Sequence, residues 1–179
     1  MALSICEYIA LIYDTEGRGD VNKKNGSRRI QKVADGLGKL LEYYDEPRNI
    51  PVVDHEWRLT SDGYHKKTIF QNNYIEIIML KWPKNAITPA HNHPNTGCWF
   101  AVVSGDIEEY SGDIVKIRKM GKWHISYREG ESSVHQLKAI THNTITISIN
   151  TFPGYYDNLE QEKQGSNIKK QEIINELNE

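Results

Sequence analysis

From Pro51 to Thr151 the chain is a succession of short β-branched and aromatic runs cut by turn residues, and few folds accept that texture. The runs are Thr68–Phe70, Tyr74–Trp82, Cys98–Val103, Ile114–Ile117, Trp123–Tyr127, Ser133–Leu137 and Thr144–Thr151. Between them stand Ser104-Gly105-Asp106, Ser111-Gly112-Asp113, Met120-Gly121-Lys122 and Gly130. Turn signals about eight residues apart mark an antiparallel β-meander in a sandwich or barrel. No helical period lies between the runs, so parallel βαβ units are not expected.

Ahead of the barrel region, Ile5, Ile9, Leu11 and Ile12 recur at helical spacing between Leu3 and Tyr13. Gly17, Gly19 and Gly26 then break the chain. Ser27 is placed to N-cap a second helix running to about Tyr44, with the stripe Ile30, Val33, Leu37, Leu40 and Leu41. Gly36 and Gly38 each weaken that helix by roughly 1 kcal/mol relative to Ala. Pro47 and Pro51 close it. The expected architecture is mainly β: an antiparallel sandwich or barrel preceded by N-terminal α-helices. A length of 179 residues suits one domain, placed at 1–157. The stretch 158–179, rich in Glu, Gln, Lys and Asn, reads as a polar C-terminal tail.

With 22 basic and 24 acidic residues the net charge is -2, which favours neither nucleic acid nor an anionic membrane as partner. No apolar run approaches the ~18–20 residues of a membrane span. The opening MALSICEYIALIYD lacks a basic n-region and carries Glu7, so it does not read as a signal peptide. Two cysteines, Cys6 and Cys98, cannot make a disulfide framework. A reducing, cytoplasmic location and a monomer are the expectations.

Of the seven histidines, His91 and His93 form the notable pair, just after Pro89. In extended backbone, side chains at i and i+2 share a face, so two imidazoles can share one metal ion. Imidazole suits Fe, Zn, Cu and Ni. His135 lies in a later strand-like run and could complete a three-histidine face across the barrel; the plainer alternative is a hydrogen-bonded barrel residue. His142, in the Thr141-His142-Asn143 turn, suits a supporting or surface place. His55, His65 and His124 have no spacing partner and read as ordinary surface or core residues.

The stretch ITPAHNHPNTGCWFAVVSGDIEE resembles the first metal motif of the cupins, with Asn85 in place of the motif's first Gly and Gly105 at its last. Cys98 stands where most cupins have a Glu ligand, which is a mark of the cysteine dioxygenases. VHQLKAITHNTITISI resembles the same family, and the likeness runs to about Asp157. It implies a cupin (jelly-roll-like) antiparallel β-barrel with N-terminal α-helices and Fe(II) on His91, His93 and His135. It implies a thiol dioxygenase that adds both atoms of O2 to the sulfur of cysteine or a related small thiol, giving a sulfinic acid. Three neutral ligands keep the charge at the metal high, which favours an anionic thiolate. Zinc would accept the same ligands.

The resemblance also gives site roles to Cys98, Ser148 and Lys66. Three departures stand out. Where the family has an arginine clamping the substrate carboxylate, this chain reads Tyr64-His65-Lys66-Lys67. A lysine supplies charge but no bidentate fork, and two solvated lysines are an equal alternative. The family's Ser-x-His-x-Tyr relay reads Ser148, Asn150 and Phe152. Phe152 has no hydroxyl with which to form the thioether to Cys98 known in the family, although Tyr155 or Tyr156 could reach the site. Cys98 is therefore expected free, or simply a small core residue. A mercaptocarboxylate or a peptide N-terminal cysteine fits the departures as substrate. The competing function is a non-catalytic metal- or ligand-binding cupin that has lost the relay.

Overall fold

The computed structural model describes residues 2–15, 23–51, 57–93, 97–111, 115–130 and 133–151. His55, Phe152, Tyr155, Tyr156 and the expected tail at 158–179 lie outside the described residues. Among the described residues, two α-helices, α1 (Ala2–Thr15) and α2 (Lys23–Asp45), precede nine strands. These are β1 (Arg58–Leu59), β2 (His65–Gln71), β3 (Ile75–Trp82), β4 (Cys98–Ser104), β5 (Ile107–Ser111), β6 (Lys116–Met120), β7 (Ile125–Arg128), β8 (His135–Ala139) and β9 (Thr144–Thr151). All pair antiparallel, in a six-stranded sheet of order β1-β2-β3-β9-β4-β7 and a three-stranded sheet of order β6-β5-β8. This is the expected mainly-β, jelly-roll-like barrel with N-terminal helices.

The central strands of the large sheet, β3, β9 and β4, are buried on both faces, and their alternation shows why. On β3, Ile75, Ile77 and Met79 pack under the helices, while Ile78, Leu80 and Trp82 point into the barrel. On β4, Trp99, Ala101 and Val103 face the helices, and Phe100 and Val102 face inward. A strand covered on both sides needs apolar residues at every position, which is why these two read as continuous hydrophobic runs. β9 differs. Ile145, Ile147 and Ile149 join the helix-side core, whereas Thr144, Thr146, Ser148 and Asn150 are buried on the other face. One partner of that polar row is Trp82, whose indole N–H donates to Thr146 Oγ1 at 2.9 Å.

The helix stripe of α2 is as expected, with Val33, Leu37, Leu40 and Leu41 buried and Tyr44 added. Ser27 lies inside α2, which begins at Lys23. On α1, Ile9 and Ile12 are buried, but Leu11 is 55% exposed and Cys6 and Ala10 take the inner face instead. Gly36 is where the helices meet: a Cβ there would lie 2.7 Å from Ile9 Cγ1. A residue that weakens the isolated helix is thus what lets the two helices approach.

Two strands escape the sequence reading. β5 carries Glu108 and Glu109, residues depleted in strands, and β1 is only two residues long. Trp123, expected in a strand, instead sits in a turn with φ of 70° before β7.

Candidate metal centre

The segment 85–91 runs along the free edge of β8 and carries the His-x-His pair to the third histidine. Asn85 N donates to Ala139 O at 2.8 Å, and Thr88 N donates to Leu137 O at 2.9 Å. His91 and His135 then exchange both backbone bonds, at 3.0 and 2.9 Å. Asn85 enters this ladder with φ of 70°, the left-handed region in which Asn is tolerated and Gly is the default. That conformation explains how Asn serves at a position where the motif has Gly.

The result is a triad. The nitrogens of His91, His93 and His135 all lie within 4.8 Å of one another, and His93 and His135 are each only 4% exposed. Nε2 of His93 and Nε2 of His135 converge to 2.8 Å. His91 Nδ1 lies 2.9 Å from Pro89 O, and His135 Nδ1 lies 2.6 Å from Glu109 Oε1. A protonated Nδ1 on each ring satisfies those acceptors and leaves Nε2 as a lone-pair donor toward the common point. Burial first, then the neighbouring His91 and His135, lowers the His93 pKa to about 2, so this imidazole is neutral at ordinary pH. Three converging imidazoles fit a divalent transition metal, with Fe(II) and Zn(II) both acceptable to the donor set.

Behind the triad lies a residue missing from the sequence-derived site: Glu109, 1% exposed. It accepts from His135, from Arg118 Nε at 2.6 Å, and from Arg128 Nε at 2.9 Å and a second guanidinium nitrogen at 2.8 Å. Burial alone would raise its pKa. The bonds from His135, Arg128 and Arg118 outweigh burial and hold the carboxyl well below the usual range. A buried carboxylate that orients a ligand histidine is the usual support of a metal site. The sequence signal was a Glu two residues beyond Ile107 on an inward-facing strand position.

No known family's sequence model matches this chain, and no curated protein is similar to it in sequence. Among solved structures it is similar to KdgF from Halomonas sp., at 17% identity and TM-score 0.48, over 55% of this chain and 89% of that one. It is similar to an RmlC-like cupin from Shewanella frigidimarina, at 16% identity and TM-score 0.49, over 56% and 86%. A double-stranded β-helix protein from Klebsiella pneumoniae is similar at 20% identity and TM-score 0.46, over 59% and 90%. In this chain, two antiparallel sheets enclose a His-x-His pair and a third histidine on β8. Together these sheets form a jelly-roll-like antiparallel β-barrel.

The barrel holds a cavity of about 320 Å³ onto which the triad opens. Cys98, Ser148, Asn150 and Lys66 all line it. Cys98 and Asn150 are register partners on β4 and β9, and the thiol donates to Asn150 Oδ1 at 3.2 Å. Burial pushes the Cys98 pKa up to about 12, so the group is a thiol and not a thiolate. Both cysteines are free. Lys66 is held by Glu76, its Nζ 3.1 and 3.3 Å from the two carboxylate oxygens. Lys67 pairs in register with Met79, a helix-side core residue, and is absent from the cavity wall. His142 is exposed in its turn, and His65 and His124 do not join the triad.

Proposed function

We propose that this chain is a cupin-type thiol dioxygenase that takes Fe(II) on His91, His93 and His135 and converts a small thiol and O2 to a sulfinic acid. The observation that carries the reading is the donor set: three neutral histidines with no carboxylate among them, and Cys98 beside them on the cavity wall. An all-neutral donor set leaves the cation's charge undiminished for an anionic sulfur. The stoichiometry closes without a further reductant: RSH plus O2 gives RSO2H, with four electrons leaving sulfur as the O–O bond breaks. Bound iron supplies Lewis acidity toward the thiol and one-electron chemistry toward dioxygen. The chain supplies the rest. Pro89 O and Glu109 fix the ring orientations of His91 and His135, and burial keeps His93 unprotonated. Ser148 and Asn150 add polar groups to the cavity wall.

One observation favours a non-catalytic cupin as a second reading. Asn150 occupies the relay-histidine position, and its amide oxygen is taken up by Cys98. Oxygen uptake by anaerobically Fe(II)-loaded protein, with cysteine and a panel of other thiols, separates the two. Uptake matched one-to-one by sulfinate is the expected result. One bound iron with no uptake for any thiol would establish the second reading.

A further inference from the structure

The cavity combines an apolar wall with cations that are already engaged. Ile78, Leu80, Trp82, Phe100, Met120 and Leu137 line it on the side of the barrel interior. Three cationic side chains line it among the described residues: Arg58, Lys66 and Arg128. Arg128 presents two nitrogens to Glu109. Lys66, whose side chain is 14% exposed, lies against both oxygens of Glu76, whose side chain is 8% exposed. Thr68 Oγ1 donates to the same carboxylate at 3.2 Å. Arg58 is on the exposed outermost strand and has an interaction of its own.

At Lys66 a substrate carboxylate would have to displace Glu76 or sit beside it, and at Arg128 it would meet Glu109 in the same way. Removing one partner of a buried ion pair is strongly unfavourable, and two carboxylates on one ammonium repel each other. An uncharged body meets no such obstacle and covers the apolar wall. With a cavity at the small end of the roughly 300–1,000 Å³ range of ligand sites, the body is a few carbons long.

We infer that the Lys66–Glu76 pair and the apolar wall select a thiol with a short uncharged body over one carrying a carboxylate. This rests on the thiol dioxygenase reading and narrows its substrate. Glu76 acts here as a specificity-determining residue by occupying the charge that a carboxylate would need.

The test compares thiols that differ in charge at constant length. Cobalt(II)-loaded protein, without oxygen, is titrated with 1-butanethiol, methyl 3-mercaptopropionate, 3-mercaptopropionate and L-cysteine, and the visible cobalt bands are followed. The expected result is at least tenfold tighter binding of butanethiol and the methyl ester than of either carboxylate. Glu76→Gln, with its fold checked by circular dichroism, should then improve 3-mercaptopropionate about tenfold relative to its ester. Equal or tighter binding of the carboxylates by the unmodified protein overturns the inference and leaves the thiol site standing. An unchanged ratio in a folded Glu76→Gln protein overturns it too. If none of the four perturbs the cobalt spectrum, the thiol reading fails and this inference fails with it.

Discussion

Replacing Glu109 by alanine removes the carboxylate on which His135, Arg118 and Arg128 converge. The structure sets the scale. Glu109 is 1% exposed, with donors at 2.6, 2.6, 2.8 and 2.9 Å. Breaking such a buried pair costs about 3–5 kcal/mol. The side chains of Arg118 and Arg128 are 34% and 31% exposed, so water solvates the abandoned guanidiniums in part. That discount places the loss near 3 kcal/mol. With a urea slope of about 1–3 kcal/mol per molar, the unfolding midpoint of the metal-free protein should fall by about 1 M or more. Without its acceptor, His135 also loses the bond that fixes its ring, and metal affinity should drop about 10–100-fold. Glu109→Gln keeps an acceptor for His135 but lacks the charge, so its metal affinity should fall by the smaller end of that range. Urea melts of metal-free protein and competition titrations with Zn(II) measure the two effects separately. An alanine variant that melts at the same urea concentration and binds zinc as tightly as the unmodified protein would refute the network argument.

Alanine at His91, His93 or His135 should each abolish tight metal binding, read by equilibrium dialysis, while His142→Ala should leave it unchanged. Gly105→Ala should destabilise by about 1–3 kcal/mol in thermal melts: φ is 75° there, and a Cβ would lie 2.4 Å from Thr144 Oγ1 and 2.9 Å from Thr144 Cα. The metal-free protein should lose stability in acid in two overlapping stages. His93 has a folded pKa below its unfolded value of 6.5, so the unfolded state takes up a proton first, and stability declines as pH falls from 6.5. Glu109 is depressed below 4.5, so its share is present above pH 4.5 and is lost as pH falls further. His93→Leu should flatten the slope between pH 6.5 and 4.5, and an unchanged slope would contradict the assignment.

The barrel was legible because a strand buried on two faces leaves a continuous apolar run, as in Ile75–Trp82 and Cys98–Ser104. The triad was legible because i, i+2 spacing is a local property and His135 stood in a run of its own. What escaped were features that depend on partners distant in sequence. Glu109 is one of two consecutive glutamates in the sequence, and only the fold brings Arg118, Arg128 and His135 around it. β5 escaped for the same reason, since strand propensity penalises the Glu that the barrel needs there. Lys66 was visible as a cation, but its engagement by Glu76, ten residues on and across a hairpin, was not.

β9 sorts its residues by side. Its isoleucines anchor the sheet to the helices, while Ser148 and Asn150 line the cavity and Thr146 accepts from Trp82. Stability and chemistry are thus written on alternate letters of one eight-residue word. A lineage, or an engineer, can rewrite the chemical letters without disturbing the structural ones. Substitution of Ser148 or Asn150 would reshape the cavity wall while the isoleucine contacts with the helices stay in place.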